Sequence, residues 1–269
     1  MHTFNLETVK RLGEGHEGTT WLEQDRVTGE FCARKELRSW TAVGTQPLEI
    51  HIRRYCMPRH HRSLLDFYGW HFIRTNAGEQ CNIYYEYCAG GDLGRLIPKG
   101  HPATHPESFI WHIFIQLAEA LDAMHNCGPQ HVVHGDVKPD NVFLTSPYRS
   151  NHSYPAVKLG DYGFAVTTRV SDACGACSWM APEMECSAKS DVWALGAIIH
   201  ALCHGFGPVS EAHRGWKHDP RARRPEDLPS IYSDRLNHRM MSCLRVHPRD
   251  RPDSETLVRK LHRERPRAH

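Results

Sequence analysis

The chain has 269 residues, with 33 Lys plus Arg against 31 Asp plus Glu, a formal charge of +2, 40% hydrophobic and 24% charged residues. These proportions exclude a disordered or collagen-like chain, and the near-balanced charge argues against a protein built to grip nucleic acid or an acidic membrane. The longest apolar stretch, Val192 to Ile199, is too short to span a bilayer, and Met1 to Glu7 lacks the apolar run of a signal peptide, so an intracellular protein, cytoplasmic or nuclear, is expected.

In chain order, residues 8–12 read as a strand running into Gly13. Residues 19–23 form a second strand, closed by a turn at Thr28-Gly29, and residues 31–35 a third. Residues 46–55 predict a helix and residues 82–87 another strand. After Gly90-Gly91 the character changes. Residues 107–124 carry Phe109, Ile110, Ile113, Phe114, Leu117 and Leu121 at helical spacing. Further helices are predicted at 190–203, 233–245 and 254–263. A β-rich front and an α-rich back, meeting near Cys88 to Asp92, predict two lobes with a ligand cleft between them.

The ten cysteines are scattered, as reduced thiols would be in a chain long enough to bury a core without disulfides. Cys174 and Cys177 form C-x-x-C, but no second pair follows at zinc-site spacing, so no metal is expected there. The sequon at Asn151-His152-Ser153 would matter only in a secreted protein. The 21 histidines are spread along the chain and are expected on the solvated surface. The basic tail from Arg259 to His269 reads as a solvated end.

Gly13-Glu14-Gly15-His16-Glu17-Gly18 matches G-x-G-x-x-G, a weak signal alone. Thr19, Thr20 and Trp21 follow and favour strand over helix, so the motif is a hairpin tip rather than a strand-to-helix dinucleotide loop. Glycines at such a tip let main-chain N–H groups approach phosphate oxygens; the bland reading is a glycine-rich turn. Lys35 at the end of the next strand and Glu49 on the first helix supply a second element. A lysine held by a carboxylate stays charged and fixed, able to clamp a polyphosphate.

Three further segments follow: His134-Gly135-Asp136-Val137-Lys138-Pro139-Asp140-Asn141, then Leu159-Gly160-Asp161-Tyr162-Gly163, then Met180-Ala181-Pro182-Glu183 with Ser190-Asp191-Val192-Trp193. On these motifs the chain resembles the eukaryotic protein kinase family, serine/threonine branch, from about residue 8 to 261. The resemblance implies an α+β, two-lobed fold over residues 4–265. A small β-rich lobe would cover about 4–87, a hinge about 86–92, and a larger helical lobe about 93–265. It implies ATP and Mg²⁺ as cofactors and Ser/Thr hydroxyls of protein substrates as acceptors. No nucleic acid or membrane partner is expected, and the chain is expected to be a monomer.

By the same resemblance, Asp136 is the catalytic base and Lys138 contacts the γ-phosphate. Lys35 holds the α- and β-phosphates with Glu49 as its partner, and Asn141 and Asp161 ligate the metal. The nucleotide would lie under Leu12, Gly13, Glu14, Gly15, His16, Glu17, Gly18, Thr19 and Thr20. Its base would sit between Ala33 and Phe143, behind the gatekeeper Tyr85. Glu86 and Cys88 would offer hinge main-chain groups, and Asp92 would reach the ribose. Glu183 with Arg251, and Asp191 beneath the catalytic loop, are expected to be architectural. Asp140, with Asp92, either favours an arginine upstream of the phosphoacceptor or, in the alternative reading, only braces the catalytic loop while Asp92 only holds the ribose.

Four positions depart from the family pattern. Gly135 replaces the arginine before the catalytic aspartate, Tyr162 a phenylalanine, and Ala176 a threonine. Arg53, one turn after Glu49, stands where an apolar residue is usual. Gly135 removes the receptor for a phosphorylated activation loop, so activity independent of such phosphorylation is expected. The alternative reading is a pseudokinase that binds nucleotide as a scaffold.

Overall fold

The computed structural model describes residues 5–15, 18–75, 78–97, 105–128, 131–149, 154–167, 179–208 and 225–266. His16, Glu17, the sequon at 151–153, Cys174, Ala176 and Cys177 lie outside them, as do residues 267–269 of the basic tail. The β-branched and aromatic residues of the first third pair into an antiparallel sheet. Its strands in order of appearance begin with β1 (Leu6–Glu14), β2 (Gly18–Asp25) and β3 (Phe31–Leu37). Asp25 turns the chain between β2 and β3, its Oδ1 accepting from the N–H groups of Val27 and Thr28. Gly29 there adopts φ +76°, a value that favours glycine.

The predicted helix at 46–55 starts later than the sequence suggested. Gln46–Pro47 form a short strand, β5, against β4 (Ala42–Val43), because proline supplies no N–H to a helix and sits here in an extended conformation. Helix α1 (Leu48–His51) follows and widens into a π-helical turn at Ile52–Cys56. Strand β6 (Phe67–Thr75) was not predicted, although Phe67, Tyr68, Trp70, Phe72 and Ile73 carry a strand composition. The strand expected at 82–87 is β7 (Gly78–Glu86). The sheet order is β1-β2-β3-β7-β6, which puts β3 at its centre.

Beyond the hinge, β8 (Gly91–Asp92), β9 (Val142–Leu144) and β10 (Val157–Leu159) form a small second sheet. The remainder of the described chain is mainly helical: α2 (Glu107–His125), α3 (Ala188–His204), α4 (Asp234–Cys243) and α5 (Ser254–Glu264), each within two residues of its prediction. All six apolar residues that predicted α2 are buried. Helix α3 is buried along most of its length. It opens with a reciprocal Ser187–Ser190 capping box and stops at Gly205 in the left-handed conformation.

The expectation of solvated histidines fails at His125, His134, His200 and His204, all buried. Neutral imidazole carries one donor and one acceptor, so it can satisfy main-chain groups inside the fold. His200 and His204 stack with ring centroids 4.0 Å apart. Their Nδ1 atoms lie 3.1 Å from the carbonyls of Phe206 and His200. No helix among the described residues is long and apolar enough to cross a membrane.

Candidate active site

The glycine motif forms the predicted hairpin tip: Glu14 pairs with Thr19, and Gly15 N–H donates to Gly18 O at 2.9 Å. Gly18 is required by packing, since a Cβ there would sit 1.8 Å from Glu36 O. At Gly13 and Gly15 an added Cβ would meet nothing within 4 Å, so this stretch of main chain faces open space. Strand alternation divides the two threonines. Thr20 is the register partner of Lys35 and shares its face. Thr19 lies on the opposite face, buried, its hydroxyl accepting from Arg38 Nη2 at 2.6 Å, and so does not join the nucleotide-facing set.

On β3, Ala33 and Lys35 project to one face, opposite Tyr85 and Ile83 of β7. Lys35 Nζ donates to Glu49 Oε2 at 2.8 Å and to Asp161 Oδ1 at 2.6 Å, joining the sheet, α1 and the segment after β10. The second oxygen of Glu49 accepts from Tyr85 Oη at 2.8 Å. Burial pushes the Glu49 carboxyl above its ordinary value, and the Lys35 charge offsets only part of this. Burial also pushes Asp161 upward, but the charge and hydrogen bond of Lys35 outweigh it and hold Asp161 below its ordinary value. Asp161 takes φ +62°, a strained conformation outside glycine that turns its carboxylate toward Lys35.

The 134–141 segment is held by one carboxylate. Asp191 accepts from the N–H groups of His134 (2.8 Å) and Gly135 (3.0 Å), and its Oδ2 lies 2.9 Å from His125 Nε2. His134 Nδ1 accepts from Asp136 N–H at 3.2 Å, which leaves Nε2 as the donor to Gly160 O at 3.0 Å. The 134–141 segment is thereby tied to the residue before Asp161. Asp136 is 5% exposed. Its Oδ2 accepts from Lys138 Nζ at 2.6 Å and from Asn141 Nδ2 at 2.9 Å. Gly135 has φ +75°, and a Cβ there would lie 2.8 Å from Phe164 O and 2.9 Å from Cys186 Sγ. This site favours glycine twice over.

Around the expected base pocket, Leu12 is half-buried on β1, and Phe143 on β9 is the register partner of Asp92 on β8. Asp92 Oδ2 accepts from Arg95 Nε at 2.9 Å. The hinge path is fixed by Glu86 N–H donating to Asp66 O and Gly91 N–H to Cys88 O. Lys158 braces it from behind, with Nζ 2.8 Å from Glu86 Oε1 and 3.5 Å from Asp66 Oδ2. Sequence reasoning missed this brace, whose members lie up to 92 residues apart with no motif among them. The predicted Glu183–Arg251 pair is bidentate, both bonds 2.7 Å.

Two of the out-of-pattern residues, Arg53 and Tyr162, find partners in the fold. Arg53 is buried and donates to the carbonyls of Pro58 (2.7 Å), Arg59 (2.9 Å) and Leu65 (3.4 Å). Tyr162 donates to Leu159 O at 2.7 Å, so its extra hydroxyl is not an orphan in the core. Among the described residues no three His, Cys, Asp or Glu side chains converge as a metal cage. Asp161 with Asn141, one carboxylate and one amide oxygen, instead suits a hard cation that shares its coordination with phosphate oxygens.

Comparison with known proteins follows the same outline. The family described as Protein kinase domain matches residues 6–262. The G2-specific protein kinase nim-1 of Neurospora crassa is 29% identical over 94% of this chain and 32% of its own length. The corresponding nimA kinase of Emericella nidulans is 29% identical over 94% of this chain and 40% of its own. The mouse serine/threonine-protein kinase Nek2 is 32% identical over 94% of this chain and 59% of its own. The chain thus spans less than two thirds of each of these curated relatives. With the match running from β1 into α5, the chain belongs to the protein kinase domain family.

Proposed function

We propose that this chain, with its domain taken as residues 4–265, is an ATP- and Mg²⁺-dependent kinase that phosphorylates Ser/Thr hydroxyls of proteins. The observation that carries the reading is a pair of polar networks: Lys35 between Glu49 and Asp161, and Asp136 with Lys138 and Asn141. Mg²⁺·ATP supplies the phosphoryl group and neutralises charge between the phosphates. Lys35 holds the α- and β-phosphate oxygens. Asn141 and Asp161 are the metal donors. Asp136 orients the acceptor hydroxyl and takes its proton, while Lys138 balances charge beside it. The Glu86 carbonyl and the Cys88 N–H are the groups offered to the base.

Substrate choice follows from two carboxylates near Gly94. A Cβ built there would sit 3.1 Å from Asp92 Oδ1 and 4.0 Å from Asp140 Oδ1. Asp140 is exposed, and this wall favours a guanidinium upstream of the phosphoacceptor by about 1 kcal/mol, typical of open ion pairs. The chain acts as a monomer.

Transfer of labelled γ-phosphate to a degenerate Ser/Thr peptide library tests the proposal. Asp136→Asn is expected to lower turnover at least about 10³-fold while Mg·ADP affinity changes less than about threefold. Wild-type protein that binds Mg·ADP and transfers nothing is instead a pseudokinase. In the same assay, selection for upstream Arg weakens in Asp140→Asn, and phosphatase treatment leaves the rate unchanged. Indifference to Arg ends the groove assignment, and a large loss on dephosphorylation ends the assignment of phosphate-independent activity to Gly135.

A further inference from the structure

We propose that the Tyr85 hydroxyl is a positioning group for the phosphate-binding lysine, acting through Glu49. The assignment rests on the role given to Lys35 above and adds a residue whose contribution would otherwise be size alone. Its basis is the sheet register. Ala33 pairs with Tyr85 and Lys35 with Ile83, so Tyr85 and Lys35 are diagonal neighbours on the same face of adjacent strands. Glu49 enters from α1 beneath that diagonal and divides its two oxygens between them, Oε2 to Lys35 and Oε1 to Tyr85, both at 2.8 Å.

A buried carboxylate requires partners on both oxygens, and Glu49 is only 3% exposed. Burial and then the Glu49 charge hold the Tyr85 hydroxyl well above its ordinary value, so it keeps its proton and can only donate to the carboxylate. The helix that carries Glu49 does little to aim it. It spans four residues, has no side-chain N-cap and loosens at once into a π-helical turn. Aim therefore comes from the two hydrogen bonds. Lys35 also has a competing acceptor in Asp161 at 2.6 Å. Without the Tyr85 hydroxyl, Glu49 Oε1 is left unmet, the carboxylate is free to turn or take up a proton, and Lys35 swings toward Asp161. The tyrosine ring itself packs against Phe67, with centroids 5.9 Å apart, a contact that phenylalanine would keep.

The test is Tyr85→Phe in the full chain, with Tyr84→Phe as control. Tyr84 lies on the opposite face of the same strand, its hydroxyl 3.2 Å from His71 Nδ1. Tyr85→Phe is expected to lower kcat/KM for ATP about tenfold, or about 1.4 kcal/mol. The loss appears mainly as a higher KM, and calorimetric Mg·ADP affinity weakens about fivefold or more, while Tyr84→Phe changes neither. Repeated in a Glu49→Gln background, Tyr85→Phe is expected to have no further effect on Mg·ADP affinity. Wild-type affinity in Tyr85→Phe overturns the proposal. So does an equal loss in both backgrounds, which would mean that the hydroxyl does not act through Glu49. If Tyr85→Phe does not fold, Tyr85→Met, which also lacks the hydroxyl, is read in the same cycle. A wild-type chain that binds Mg·ADP without transferring phosphate counts against the kinase reading alone, because the affinity cycle still decides the role of Tyr85.

Discussion

The two lobes hold their buried groups by different physics. In the small lobe the functional geometry is electrostatic. Lys35 and Glu49 form one network, which reaches across to Asp161 of the large lobe. On the other face of the sheet Arg34 reaches Glu23 at 2.6 Å and Glu36 at 3.1 Å, its guanidinium 5.9 Å from the Trp21 ring centroid. In the large lobe α2 and α3 bury Phe109, Phe114, Leu117, Trp193, Ile198 and Ile199 almost completely, in an apolar core that encloses a few paired polar groups such as Asp191 with His125. Apolar burial is non-directional and secures that the large lobe forms. Charge-assisted hydrogen bonds are directional, and they aim the side chains that meet a ligand.

Each lobe also holds a buried arginine, and the two differ in what their removal leaves behind. Arg251 is 0% exposed in its side chain and binds Glu183 bidentately, the carbonyls of Arg245, Lys189 and Val246, and the face of Trp193 at 4.9 Å. Removing it strands a carboxylate as well as carbonyls. Arg251→Ala is therefore expected to cost about 5 kcal/mol, the upper end for breaking a buried pair, and to lower Tm by on the order of 10 °C or more. Adding Glu183→Gln should recover part of this. If the double variant is no more stable than the single, the stranded charge is not the cause.

Arg53 leaves only main-chain carbonyls behind, so Arg53→Ala is expected to cost about 2–4 kcal/mol in urea unfolding. Arg53→Met should lose less, because it fills the volume without meeting the carbonyls. A loss in Arg53→Ala equal to that in Arg251→Ala would show that a stranded carboxylate costs no more than stranded carbonyls.

The smallest effect concerns pH. Burial, then the neighbouring His204, depresses His200 to about 3. The folded chain keeps His200 neutral while the unfolded chain takes up a proton below the ordinary histidine value. Its contribution to stability is therefore present above about pH 6.5 and falls as pH drops toward 3, by about 1.4 kcal/mol per unit at most. His200→Gln should flatten the pH dependence of unfolding free energy between pH 6 and 4.5 by up to about one proton. An unchanged slope would show that His200 is not a source of acid lability in the large lobe.

Legibility in the sequence followed the range of the signal. Helix α2 was readable because its six apolar positions repeat at helical spacing within 13 residues, and α3 because its apolar run is local. Strand β6 was missed: alternation is weak in Phe67-Tyr68-Gly69-Trp70, where the pairing with β7 itself shifts register between Phe67 and Gly69. Residues 46–55 carried a helical pattern that Pro47 overrode at its start. The histidines misled because composition reports charge and not burial: His134 is an acceptor to Asp136 N–H and faces Gly160 O, contacts invisible in a residue count.

The sequence by itself determined which chemical groups are present and where along the chain they sit: the glycine hairpin, Lys35, Asp136, Lys138, Asn141 and Asp161. These signals live in short segments whose spacing alone limits what they can do. Only the tertiary structure decided which groups meet. It joined Lys35 to Asp161 across 126 positions, turned Thr19 away from Thr20's face, and set Lys158 behind the hinge. It also gave Tyr85 to Glu49 across 36 positions. Such meetings depend on strand register and on which oxygen remains to be satisfied once the core has closed. Local propensity carries neither.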